Sequence, residues 1–216
     1  MKGLVKICGV TTPEDAQAAV ESGADLVGVN FYPSSPRYAP AENVPGILAA
    51  LAGQAEAIAV MVKPSRKQLV DESAFLQGFA SLQWHDHDQQ PRPWLTLPLI
   101  PAFAVQSAFD LARIADYVES CRGENCLPRA ILIDAFVRGL HGGTGKTAPW
   151  NLLGGFDPGV PIILAGGLTP ENVAEAIRMV RPFAVDVASG VETAPGRKDR
   201  EKMRRFIEAA REAFGL

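Results

Sequence analysis

Eight short apolar runs recur along the chain, at Leu4–Cys8, Leu26–Phe31, Ala57–Val62, Ser81–His85, Leu97–Phe103, Ala130–Asp134, Pro161–Ala165 and Ala184–Ala188. Most are continuous rather than alternating, the pattern of parallel strands buried on both faces. Segments with helical spacing fit between many of them. Thr12-Pro13-Glu14-Asp15 predicts a helix start, with an N-cap, proline at the first helical position and acids in the first turn. Ser22-Gly23 supplies the stop. Thr169-Pro170-Glu171-Asn172 repeats that start late in the chain, again ahead of an alanine-rich helix and a strand. Further helices are predicted over Ala41–Leu51, Ser65–Leu76, Ala104–Ser120 and a short Pro149–Leu153. Asp199–Phe214 reads as an amphipathic closing helix with Met203, Phe206, Ile207 and Ala210 on one face. Pro91 and Pro93 make the fourth helix short or absent. The order predicts a (β/α)8 TIM barrel, one domain over residues 1–216, with its chemistry at the C-terminal ends of the strands.

Composition narrows the class without changing that picture. The chain has 216 residues, 47% of them hydrophobic, and a net charge of −3, so nothing global points to nucleic acid or an anionic membrane. The basic run Arg197 to Arg205 is interrupted by acids and reads as a solvated helix face. No apolar stretch is long enough to span a bilayer, and the amino terminus enters the first strand without a signal-peptide pattern. Three cysteines leave at least one unpaired, which fits a reducing cytoplasm. Cys121 and Cys126 flank a polar stretch and could close a small disulfide loop, but two free thiols are expected in that compartment.

Candidate chemistry collects at the strand ends. Cys8 closes the first run and precedes Gly9; it is either a small buried core residue or a proton-transfer group, and a thiol of pKa ~8.5 needs help to act as a base. Asp134 closes the sixth run, where a carboxylate serves either chemistry or loop amides. Acid work there requires a raised pKa. Glycine-bearing loops follow strands six, seven and eight: Gly142-Gly143-Thr144-Gly145, Gly166-Gly167 and Ser189-Gly190. Singly these are tight turns; together their amides suit a phosphate. Gly145-Lys146-Thr147 lacks the glycine spacing of a Walker loop. Arg37, in a stiff loop after the second strand, could hold a carboxylate through two parallel hydrogen bonds, or lie idle on the surface. Gln83 and His85 share one face near the barrel mouth. His85-Asp86-His87-Asp88 has only His141 as a further histidine, so no metal site is expected.

Taken in order, these motifs resemble the phosphoribosylanthranilate isomerases of tryptophan biosynthesis. The resemblance runs over nearly the whole chain. It is carried by Lys6-Ile7-Cys8-Gly9, Ser22-Gly23-Ala24-Asp25, Phe31-Tyr32-Pro33, Arg37-Tyr38, Asp134, Gly142 to Thr147, Gly166 to Asn172, and Arg181 to Val187 leading into Ser189-Gly190-Val191-Glu192. It implies a cofactor-free Amadori rearrangement of an aminoaldose to an aminoketose. Asp134 would be the general acid and Cys8 the general base. Arg37 would hold the anthranilate carboxylate. Gln83 and His85 would line the substrate site, and Gly143, Gly145, Gly166, Gly167, Ser189 and Gly190 would bind the sugar phosphate. The implied partner is a small phosphorylated substrate. A monomer, or association with neighbouring tryptophan-pathway enzymes, is compatible with the sequence.

The chain departs from the family pattern at three places: Asp86 replaces a glycine, Lys63 an asparagine, and Ala148-Pro149-Trp150 the usual Phe-Asp-Trp. They bear on loop shape and substrate range. Two competing readings stand beside the main one, an isomerase of another phosphorylated aminoaldose and a phosphosugar-binding paralogue without turnover.

Overall fold

The structure is a computed structural model that describes residues 3–71, 76–85, 90, 92–134 and 150–216. The eight apolar runs become β1 (Leu4–Cys8), β2 (Leu26–Asn30), β3 (Glu56–Val62), β4 (Ser81–His85), β5 (Leu99–Ala104), β6 (Ile131–Asp134), β7 (Ile162–Ala165) and β8 (Ala184–Val187). Each is parallel to its neighbours, and β8 pairs back onto β1 with Leu4 opposite Ala184 and Ile7 opposite Val187, so the sheet closes into a barrel. β5 begins at Leu99 rather than Leu97. Pro98 has no N–H to pair, although its carbonyl accepts from the Leu82 amide.

Two apolar layers follow from the alternation along each strand. Leu26, Ile58, Ile100, Leu132 and Ile163 fill the barrel, while Val5, Ile7, Leu82, Ile133 and Val185 face the helices. The helices are α1 (Pro13–Glu21), α2 (Val44–Leu51), α3 (Arg66–Asp71), α4 (Ala108–Gly123), α5 (Trp150–Leu153), α6 (Val173–Val180) and α7 (Arg200–Phe214). Thr12 caps α1 as expected, its Oγ1 accepting from the Asp15 amide at 3.2 Å. The face of α7 read from the sequence is buried, and Met203, Phe206 and Ile207 contribute about 1.5–3 kcal/mol each.

Several boundaries differ from the sequence reading. Ala104 extends β5, and α4 starts only after Asp110 Oδ2 has accepted from the Ser107 amide at 2.9 Å. Thr169-Pro170-Glu171-Asn172 does not repeat the cap of α1. Asn172 Oδ1 accepts from the Thr169 amide and its Nδ2 donates to Gly167 O, which folds the segment into a turn before α6. The helix predicted over Ala41–Leu51 opens as a 3₁₀ turn at Ala41–Asn43. A small antiparallel hairpin after β8, β9 (Glu192–Ala194) and β10 (Arg197–Lys198), has no counterpart in the sequence reading. It also changes the reading of the basic run: Lys198 is buried, whereas Arg204 pairs with Glu201 on the surface of α7.

At the end of α4, Asn125 takes a left-handed backbone, and the Cys126 amide donates to Cys121 O at 2.9 Å in a Schellman-type stop. All three cysteines are free thiols, as expected. Among the described residues, no helix is long and apolar enough to cross a membrane.

Candidate active site

Strand parity sets which side chains reach the barrel mouth. Leu4, Lys6 and Cys8 share the inner face of β1, and Leu132 and Asp134 that of β6. Cys8 and Asp134 therefore end their strands at the same C-terminal opening, separated around the barrel by β7 and β8. Asp134 is flanked in register by Ala104 and Ala165, two small neighbours that leave its carboxylate room. Cys8 and Asp134 are each only partly buried.

Beneath Cys8 lies a buried charge relay. Lys6, fully buried, donates to Asp186 Oδ1 of β8 at 2.8 Å, and its charge lies beside the Cys8 sulfur. Burial alone would pull the lysine pKa down, but the Asp186 carboxylate overrides it and holds the ammonium above the usual lysine range. Gly28 of β2 makes the arrangement possible. A Cβ on that residue would sit 2.8 Å from Cys8 Sγ and 2.9 Å from Lys6 Nζ. Burial pushes the Cys8 thiol up, and the Lys6 and Lys198 charges partly offset it. Burial thus works against the thiolate, while the cations beside the sulfur favour it.

Arg37 is drawn into the site rather than idling on the surface. Its stem packs against Gly9, next to Cys8, where a glycine Cβ would come within 2.6 Å of Arg37 Cδ. The two parallel hydrogen bonds anticipated for a ligand go instead to a protein carboxylate. Nε and Nη2 donate to Glu192 Oε1 and Oε2 at 2.8 and 2.7 Å. Lys198 Nζ donates to the same Glu192 Oε1 at 2.9 Å and to Ala188 O at 3.2 Å. Burial opposes ionisation of Glu192, but hydrogen bonds from Arg37 and Lys198 outweigh it and hold the carboxyl below the usual range. Burial lowers the Lys198 pKa, with Glu192 opposing.

Gln83 lies inside the barrel and His85 at its rim, joined by an Nε2···Nε2 contact of 2.7 Å. Among the described residues, Gln83 Oε1 is buried without a hydrogen-bond partner. Asp86, His87 and His141 lie outside the described residues, as do Gly143 and Gly145 of the loop after β6. Gly166 and Gly167 both adopt left-handed backbone after β7. Ser189 and Gly190 form a 3₁₀ turn after β8. The two loops touch: a Cβ on Gly190 would lie 2.0 Å from Leu168 O. The structure therefore brings Cys8, Arg37, Gln83, His85, Asp134 and the two late glycine loops to one end of the barrel.

Lys6, Asp186 and Glu192 stand within the motifs that carry the resemblance, but no role was read from the sequence for them or for Lys198. For the first two a signal was present, because a charged residue two places from Cys8, or inside the apolar run of β8, must face the barrel interior. The meeting of Glu192 with Lys198 had no signal, since it depends on the hairpin.

The comparisons with known proteins agree with this geometry. The family model described as N-(5'phosphoribosyl)anthranilate (PRA) isomerase matches residues 5–209. An N-(5'-phosphoribosyl)anthranilate isomerase of Trichlorobacter lovleyi is 43% identical over 213 residues, covering 97% of this chain and 98% of the relative. The crystal structure of phosphoribosyl anthranilate isomerase from Thermotoga maritima superposes with a TM-score of 0.82 at 37% identity, over 99% of this chain and 100% of the other. A phosphoribosyl anthranilate isomerase solved with reduced 1-(o-carboxyphenylamino)-1-deoxyribulose 5-phosphate has a TM-score of 0.79 at 35% identity, over 99% and 100% of the two chains. With barrel and sequence in agreement along almost its full length, this chain belongs to the phosphoribosylanthranilate isomerase family.

Proposed function

We propose that the chain isomerises N-(5'-phosphoribosyl)anthranilate to 1-(2-carboxyphenylamino)-1-deoxyribulose 5-phosphate by an Amadori rearrangement, with Asp134 as general acid and Cys8 as general base. The observation that carries this reading is the buried Lys6 ammonium beside the Cys8 sulfur, the two atoms lying 2.9 and 2.8 Å from where a Cβ on Gly28 would stand. A thiol that accepts a substrate proton starts as thiolate, and a fixed cation beside it stabilises that form in a site with little water.

Asp134 donates its proton to the furanose ring oxygen as the C1′–O bond breaks, and the anthranilate nitrogen becomes part of an iminium. Cys8 then removes the C2′ proton, whose electrons flow into the iminium to give an enolamine. Proton return at C1′ and loss from the C2′ hydroxyl give the ketone, so the reaction is a net isomerisation. The iminium is itself the electron sink. Arg37 meets the substrate carboxylate with Nη1 and the remaining Nη2 proton, its other edge being held by Glu192. The amides of Gly166, Gly167, Ser189 and Gly190 meet the phosphate, together with the loop containing Gly143 and Gly145. Gln83 and His85 line the substrate site; the relative solved with the reduced product supports a ligand of this class.

The test follows the fluorescence of N-(5'-phosphoribosyl)anthranilate after addition of wild type, Asp134→Asn or Cys8→Ser. Fast decay with wild type and a loss of about 10²–10⁴-fold in each variant is expected. No decay with folded wild type would redirect the assignment to another phosphorylated aminoaldose. Near-normal decay in a variant would remove that residue from its role.

A further inference from the structure

We infer that Glu192 and Lys198 act together as positioning residues for the substrate carboxylate: Glu192 fixes which edge of Arg37 faces the site, and Lys198 restores the positive charge that Glu192 would otherwise cancel. The inference rests on the role proposed above for Arg37.

A guanidinium is planar and presents hydrogen-bond donors along distinct edges. In Arg37 the Nε–Nη2 edge is taken at both ends by one carboxylate, with donor distances of 2.8 and 2.7 Å. Two parallel bonds set the plane of the group as well as its place. Among the described residues, nothing accepts from Arg37 Nη1, so the outer edge is the one presented to a ligand. The stem of Arg37 lies against Gly9 beside Cys8, which keeps that edge next to the reacting centre.

Glu192 alone would neutralise Arg37 and weaken its pull on an anion. Lys198 answers this with a second, buried contact at 2.9 Å to the same carboxylate, and two cations against one anion leave a net positive cluster. The side chains of Lys198 and Glu192 are 0% and 4% exposed, so their charges meet little screening. The hairpin that carries them is itself pinned to the Arg37 loop and to the segment after β1. Thr11 Oγ1 donates to Gly196 O at 3.0 Å, and a Cβ on Gly196 would lie 2.5 Å from Pro36 O. Lys202 Nζ ties the backbone of Glu192 to α7 at 2.8 Å. A brace for the hairpin alone would not need a bidentate grip on Arg37.

The experiment measures calorimetric affinities of two stable ligands, the reduced product and its counterpart made from aniline, which lacks the carboxylate. The proteins are wild type, Arg37→Ala, the double variant Glu192→Gln/Lys198→Met, and all three changes together. Replacing both buried partners avoids stranding a charge. Wild type is expected to prefer the carboxylated ligand, and the double variant to lose about tenfold of that preference, with the aniline ligand held as before. Adding Arg37→Ala to the double variant should then cost less than Arg37→Ala alone, the mark of residues acting through one another. An unchanged preference in the double variant would overturn the inference and leave a simple hairpin brace. No preference in wild type would instead overturn the carboxylate role of Arg37. If the double variant does not fold, Glu192→Asp serves: its shorter arm displaces the guanidinium, and an unchanged preference there would overturn the inference equally.

Discussion

At the scale of the residue, Cys8 is governed less by its own chemistry than by what lies on either side of Gly28. The thiol and the Lys6 ammonium both crowd the space where a side chain on that residue would begin. Gly28→Ala should therefore drive them apart while leaving the strand pairing intact. We expect at least a tenfold loss of kcat/KM, together with slower iodoacetamide labelling of Cys8 read by peptide mass, because alkylation follows the thiolate. In wild type, burial pushes the Cys8 thiol above the ordinary cysteine value, so its labelling rate should still be climbing at a pH where free cysteine has levelled off. Much at this scale was legible. Cys8 and Asp134 stand at strand ends, and alternation alone puts Lys6 on the same face as Cys8. What alternation cannot convey is that Asp186, from the far end of the chain, keeps that lysine charged. Lys63 gives a second case: its backbone is left-handed (φ 44°), a conformation that asparagine, the residue the resemblance leads one to expect there, tolerates better than lysine.

The elements show where local reading stops. α1 and α7 carry their signals in their own sequence, and both begin where Thr12 and Asp199 predict. Thr169-Pro170-Glu171-Asn172 differs from the start of α1 only in its last residue, yet Asn172 spends its side chain on Thr169 and Gly167, and a turn results. The hairpin of β9 and β10 was illegible because strands of three and two residues have no periodicity to read. Its stability has a pH signature. The Glu192 carboxyl is held below its ordinary value, so the stabilisation it confers is complete above the unfolded pKa of ~4.3 and is lost as pH falls through the lower, folded value. The difference in Tm between wild type and Glu192→Gln should stay constant from neutrality down to about pH 5.5 and shrink below about pH 4.3. A difference that grows on acidification would contradict the pairing.

Across the whole molecule, the eight apolar runs and their order sufficed to predict the barrel, because parallel strands buried on both faces have few other arrangements. The closure between β1 and β8 carries a charge pair as well as backbone bonds. Asp186→Leu should destabilise the barrel by about 3–5 kcal/mol, since it leaves Lys6 buried and unpaired. Lys6→Met added to Asp186→Leu should recover much of that loss in urea unfolding, though not the activity. Failure to recover would mean that the pair contributes more than mutual neutralisation. Lys6 and Asp186 lie 180 residues apart in the chain. During synthesis the lysine leaves the ribosome long before its carboxylate has been made, and a sealed interior would then trap a lone ammonium at a cost of several kcal/mol. A chain that stops ahead of β8 lacks both the closing strand and the carboxylate that Lys6 needs, so its barrel can neither shut nor neutralise that charge.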